Sequence, residues 1–118
     1  MKRDDSIYLQ HILDAINMIE EYLAEVDEAA FFTSHLVQDG VIRQLEIVGE
    51  AVKQLSSDLR MNNDRIPWQD IAWMRDKLIH HYFGVDLNSV LLTVKNDLPT
   101  LKNEILLLLT KKNRNSPP

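Results

Sequence analysis

The stretch VIRQLEIVGEAVKQLSSDL, residues 41–59, sets Val41, Leu45, Val48, Val52, Leu55 and Leu59 at alternating steps of four and three. That spacing lays an apolar seam along one side of an α-helix, and such a seam needs another helix to cover it. Gly49 interrupts the seam. A helical glycine costs about 1 kcal/mol relative to alanine, so its presence points to another backbone packing closely there. Just upstream, Thr33 and Ser34 offer N-caps for this helix, since a hydroxyl can accept from the free N–H groups of a first turn.

The same reasoning extends outward in both directions. Ile7, Leu9, Ile12, Leu13, Ile16, Ile19, Leu23 and Val26 recur at three- and four-residue steps with acids between them, which predicts an amphipathic helix over about residues 5–28. RMNNDRIP, residues 60–67, reads as a loop, with Pro67 suited to the first turn of a third helix running from Trp68 to about Phe83. Gly84 is the expected stop. Asp86 or Asn88 can cap a fourth helix through about Asn96, and Asp97 followed by Pro99 starts a fifth. KKNRNSPP, residues 111–118, reads as a frayed basic tail. No strand pattern competes, so the expected fold is all-α: an antiparallel bundle of four to five helices forming a single domain over residues 1–118.

Composition narrows the function classes. The 118-residue chain is 45% hydrophobic and 26% charged, ordinary for a globular domain. It has no cysteine, which removes disulfides, thiolate zinc sites and cysteine nucleophiles together. The N-terminus lacks the apolar run of a signal peptide. ILLLL, residues 105–109, is far short of the roughly 20 residues a membrane-spanning helix needs, and a cytoplasmic setting without a membrane partner fits. The net charge of −5 is split between −8 for residues 1–59 and +3 for residues 60–118, so a polyanion would approach the second half more readily. Neither a phosphate-cradling glycine loop nor the acid cluster of a nucleotidyltransferase is present in the sequence.

The chemistry concentrates in MRDKLIHHYFGVD, residues 74–86. At about 100° per residue, Arg75 falls in the centre of a stripe formed by Ile71, Met74, Leu78, Ile79 and Tyr82. A guanidinium cannot shed its charge, so burying it alone is expensive. Either a carboxylate of the bundle pairs with Arg75, or the stripe lines a cleft that receives an anion. Asp76 and His80, four apart, can hydrogen-bond and orient the imidazole. His81 turns about 100° away and is at most an accessory group, while His11 and His35 form no metal-ligand spacing with this pair. On periodicity alone, a structural ion-pair site is the commoner meaning of an arginine beside Asp and His.

These residues resemble a known pattern. Arg75-Asp76-Lys77-Leu78-Ile79-His80-His81-Tyr82 matches Arg-x-x-x-x-His-x-Tyr, the motif of HepT toxins in the HEPN superfamily. RQLEIVGEAVKQLS (43–56), RIPWQDIAWMRDKLIHHYFGVD (65–86) and TVKNDLPTLKNEI (93–105) are similar to the corresponding family segments, in the same order. The resemblance implies a HEPN-like fold and a metal-independent endoribonuclease toxin that needs no cofactor. It also implies a homodimer, an RNA substrate, and an MNT-type nucleotidyltransferase antitoxin that adds AMP to the motif tyrosine. Carried over by position, Arg75, His80 and Asp76 become catalytic residues and Tyr82 the AMP acceptor.

Physical chemistry makes those roles sensible. RNA carries its own nucleophile, so the enzyme need only move protons and stabilise the crowded phosphorane. An imidazole, with an ordinary pKa of about 6.5, can do the first and a planar guanidinium the second. Arg75 and His80 are nevertheless about 140° apart on an ideal helix; a site shared across a dimer, or a distorted helix, would reconcile them. Two other readings stay open. One is a HEPN module that binds nucleotide, RNA or a partner without cutting; the other is a helical subunit whose histidines pack at an interface.

Overall fold

Asp4 opens the first helix, its carboxylate accepting from the Ser6 N–H at 3.0 Å. The computed structural model describes residues 4–80 and 86–115, with the side chains of 79, 80 and 112–115 outside that description. Helix α1 spans Asp5–Leu23 and buries Leu9, Ile12, Ala15, Ile16 and Ile19. It stops short of the expected residue 28 because Asp27 starts a new helix, accepting from the Ala30 N–H at 2.8 Å. That helix, α2, covers Glu28–Thr33 and contributes Phe31 to the core. Side-chain capping overrides hydrophobic period here: Val26 belongs to the apolar pattern but lies in the turn.

Helix α3, His35–Gln54, carries the seam, and Ser34 caps it by accepting from the Val37 N–H at 3.2 Å. Thr33, the other candidate cap, instead turns its hydroxyl back onto the carbonyls of Ala29 and Ala30. Val41, Leu45, Val48 and Val52 are fully buried. The seam outlasts the helix, because Leu55 is extended and Ser56 caps a separate short helix α4, Ser57–Asn62. The expected loop at 60–67 therefore begins only at Asn63. Leu55 and Leu59 stay buried, in the break and in α4 respectively.

Helix α5, Trp68–His80, starts directly after Pro67, whose carbonyl accepts from the Ile71 N–H at 3.1 Å. The expected run to Phe83 and the stop at Gly84 lie outside the described residues. Asp86 caps α6, Leu87–Leu92, through the Asn88 N–H at 3.0 Å and the Ser89 hydroxyl at 2.9 Å. The fourth and fifth helices expected to separate near Asp97 are instead joined. A π-helical turn over Thr93–Asp97 passes straight into α7, Leu98–Asn115. Proline explains the turn: Pro99 lacks an N–H and its ring crowds the carbonyl four residues back, and a wider turn just upstream relieves both. Helix α7 runs through Asn115, into the stretch expected to fray.

Two contacts fix how α1 and α3 run. Asp5 at the start of α1 accepts from the Ser56 N–H and hydroxyl at 2.8 and 2.6 Å, beyond the end of α3. Near the end of α1, the Tyr22 ring lies over Gly40 near the start of α3. The two helices are therefore antiparallel. Helix α3 packs against α1 and α5, and α7 lies against α1 with Lys102 bound to Glu20 at 2.6 Å. The long rods are thus α1, α3, α5 and the α6–α7 run, with α2 and α4 as short connectors, and no strand occurs among the described residues. No described helix is long and apolar enough to cross a membrane.

Candidate functional site

Helices α3 and α5 meet at Gly49. A methyl group built there would lie 2.9 Å from Arg75 Cγ and 3.3 Å from Arg75 Cα, and closer still to its Cβ. No described glycine has a positive φ, so Gly49 serves for space and not for backbone freedom. The close approach expected from the seam is real, and its partner is the stem of the motif arginine.

That stem delivers the guanidinium to the flanking residues of α3. Arg75 Nη2 lies 3.0 Å from Glu50 Oε2, and Nη1 lies 3.3 Å from Asp76 Oδ1. Asp76 Oδ1 also accepts from Lys53 Nζ. Glu50, Arg75, Asp76 and Lys53 thus form a chain of alternating charge across the helix crossing. The Lys53 hydrogen bond, helped by Arg75, holds the Asp76 carboxyl below the usual range despite partial desolvation. Arg75 Nε is buried without a hydrogen-bond partner, while the side chain as a whole remains 28% exposed. Of the alternatives posed by the sequence, pairing with carboxylates is the one seen: Arg75 meets Glu50 and Asp76, and it also lines a cleft, though the described residues of the apolar stripe around it do not.

The cleft, of ≈ 200 Å³, runs between α1, α3 and Arg75 of α5. Arg43, Ile47, Glu50 and Gln54 form a stripe along α3, with Tyr8 and His11 of α1 facing in. A larger cavity of ≈ 470 Å³ lies between α5, the π turn and α7, floored by Val48, Ile71, Met74 and Leu101, and neither Arg75 nor Asp76 lines it. On the exposed side of α5, Lys77 Nζ sits 4.1 Å from the centre of the Trp73 ring.

Of the sequence-derived site residues, Arg75 and Asp76 are adjacent and bonded. His80 is the last described residue of α5, but its imidazole lies outside the described residues, as do His81 and Tyr82. The convergence of Arg75 and His80, and the Asp76–His80 hydrogen bond, therefore fall outside them too. Sequence reasoning gave no role to Glu50, Lys53, Tyr8 or His11. A signal existed for Lys53, four residues after Gly49 on the same helix face; none existed for Glu50 or the α1 pair.

The site is thus an arginine-centred charge chain at a helix crossing of an all-α bundle. Residues 12–108 match the family model described as Ribonuclease HepT-like, and the chain belongs to that family. It is 49% identical over 115 residues to a Methanocaldococcus jannaschii protein named "Gamma-glutamylcyclotransferase and putative RNase", covering 98% of this chain but only 52% of that relative. It is 46% identical over 104 residues to "Probable ribonuclease HepT" of Thermococcus cleftensis, covering 88% of this chain and 94% of that one. A "Putative RNase" of Caldanaerobacter subterraneus is 36% identical over 105 residues, covering 89% of this chain and 94% of the relative. No solved structure matches significantly.

Proposed function

We propose that this protein is a metal-independent endoribonuclease, the toxin of a toxin–antitoxin pair, acting in the cytoplasm as a homodimer. The observation that carries the reading is the placement of Arg75. Its stem is wedged on Gly49, and its guanidinium, paired with Glu50 and Asp76 among the described residues, emerges at a cleft. A phosphodiester can pair with the exposed end of that guanidinium. The 2′-hydroxyl then attacks phosphorus as an imidazole removes its proton, Arg75 balances the charge gathering on the phosphorane, and the 5′-oxygen leaves with a proton. The products carry a 2′,3′-cyclic phosphate and a 5′-hydroxyl. His80 supplies the imidazole, and in a homodimer its second copy supplies the leaving-group proton. Asp76, itself held by Lys53, keeps the guanidinium oriented.

Control follows from the same electrostatics. An MNT-type nucleotidyltransferase adds AMP to Tyr82, bringing bulk and negative charge toward the arginine that the substrate phosphate needs. Tyr82→Phe leaves cleavage intact and escapes that control.

The deciding experiment is RNA cleavage in EDTA by wild type, Arg75→Ala and His80→Ala. Activity that survives chelation and disappears in both variants is expected; a 5′-phosphate on the products would overturn the mechanism. The carboxylates already on Arg75 favour one second reading, a HEPN module that binds RNA or nucleotide without cutting, and an unchanged background in all three proteins would favour it over cleavage.

A further inference from the structure

The cleft beside Arg75 has a wall that the cleavage reading leaves unused. Antiparallel packing pairs Asp5 with Ser56 and Tyr22 with Gly40, which sets residue 11 at about the level of Glu50. Glu50 is the residue that holds Arg75. His11 is exposed and Tyr8 half-buried, and their rings meet edge to face, with centroids 5.9 Å apart at 88°. Both line the cleft together with Arg75.

The charges describe the occupant. Arg43 is paired with Glu46 at 3.4 Å and Arg75 with Glu50 at 3.0 Å, so the cleft is nearly neutral. A highly charged anion gains little from it. The rings are its aromatic feature, and they line the cleft together with the Arg75 guanidinium. A ligand that meets both has a flat aromatic face and a single negative charge a few ångströms away. One nucleotide of single-stranded RNA fits that description, since unpaired bases stack on aromatic side chains, histidine included. The volume of ≈ 200 Å³ suits one base and not a duplex.

We propose that Tyr8 and His11 form a base subsite, stacking one unpaired RNA base beside the phosphodiester held by Arg75. This inference rests on the cleavage reading for its substrate class, but its test does not need cleavage. The probe is a short 2′-O-methylated oligoribonucleotide, whose blocked nucleophile separates binding from chemistry.

The rings stand at 88° to each other, so one base stacks on one ring and meets the edge of the other, and Tyr8→Leu and His11→Leu each weaken binding, by about tenfold at the stacking ring. Tyr8→Phe and His11→Phe restore binding to within about twofold, and the probe shifts the ring resonances of Tyr8 and His11 upfield. His11 is exposed, so its variants test the idea without threatening the fold. Binding unaffected by the leucine changes overturns the subsite, as does equal loss in the leucine and phenylalanine variants, or no binding by wild type. The two failures are distinguishable: ring-dependent binding without cleavage of ordinary RNA sinks only the ribonuclease, and cleavage with a KM indifferent to the leucine changes sinks only the subsite.

Discussion

Replacing Gly49 with alanine tests the central geometry. Alanine is the better helix former by about 1 kcal/mol, so at an ordinary helical glycine the change stabilises. Here the new methyl would sit 2.9 Å from Arg75 Cγ and 3.3 Å from Arg75 Cα, against an optimal carbon separation of about 3.5–4.0 Å. The obstructing atoms are the base of a side chain and its backbone, which cannot swing aside, and the Cβ is closer still, so α5 must move away from α3 by about 1–2 Å. Overpacking of this kind costs about 1–3 kcal/mol; subtracting the gain in propensity from the upper part of that range leaves a net loss of about 1–2 kcal/mol. For a chain of this size the melting temperature falls by about 4–8 °C. On the ribonuclease reading proposed above, the same displacement also misplaces the guanidinium against the substrate phosphate, and a shift of that size costs about a hundredfold in rate. Gly40→Ala is the internal control. Its methyl would meet only the edge of the Tyr22 ring, at 3.1 and 3.3 Å, and a ring edge can yield, so stability stays within about 0.5 kcal/mol. Thermal and urea unfolding of both variants decide the matter. A Gly49→Ala protein as stable as wild type, with the same denaturant dependence, refutes the close crossing and the account of how Arg75 is aimed.

Three further outcomes follow from named contacts. Asp5→Ala removes a buried carboxylate that accepts twice from Ser56, and the loss is about 2–3 kcal/mol by denaturant unfolding; an unchanged midpoint would show that the junction of α1 and α4 is held by something else. The Asp76 carboxyl, followed by carbon NMR, titrates below 3.8, and Lys53→Gln moves its midpoint upward. Because the folded pKa is depressed, the stabilisation is present above the unfolded value and lost as pH falls through the folded one, so the Lys53→Gln defect should fade below about pH 3.8; a defect constant down to pH 2 would contradict the linkage. Arg75→Lys keeps the charge but loses the planar fork that spans Glu50 and Asp76, and RNA cleavage falls about tenfold or more; wild-type rates would show that a point charge suffices.

The residues that were legible in the sequence were those whose meaning is local or periodic. Ser34 and Asp86 cap the helices they were expected to cap, and the seam from Val41 to Val52 is buried as its period requires. Boundaries failed where a local bond outcompeted a continuing period. Asp27 and Ser56 each open a new helix inside an apolar pattern that runs on through Val26 and Leu55, and α7 starts beside Pro99 as expected, but a π turn upstream joins it to α6 without a break. The site divides along the same line. Arg75 announced itself as a charge on an apolar stripe, but His11 became part of its cleft only through the antiparallel pairing of α1 with α3, which links residues about forty positions apart and has no counterpart in spacing along the chain.

Gly49 lies between these cases, and it resolves the dilemma that Arg75 posed. Its presence foretold a close approach without naming the partner. Once the partner is Arg75, burial and exposure cease to compete. The aliphatic stem takes the buried position on the glycine, and the charged end emerges past it beside Glu50 and Asp76. A larger residue at 49 would push the stem outward and leave the guanidinium a loosely held surface charge. The glycine in the seam and the arginine in the stripe are therefore two halves of one device, and a variant of either should disturb the other's measured property: Arg75→Ala leaves the Gly49→Ala stability loss largely in place, because Cβ and backbone remain, whereas Arg75→Gly removes the obstructing Cβ and reduces it. If Arg75→Gly and Arg75→Ala leave that loss equal, the clash lies elsewhere and the pairing of glycine with arginine is wrong.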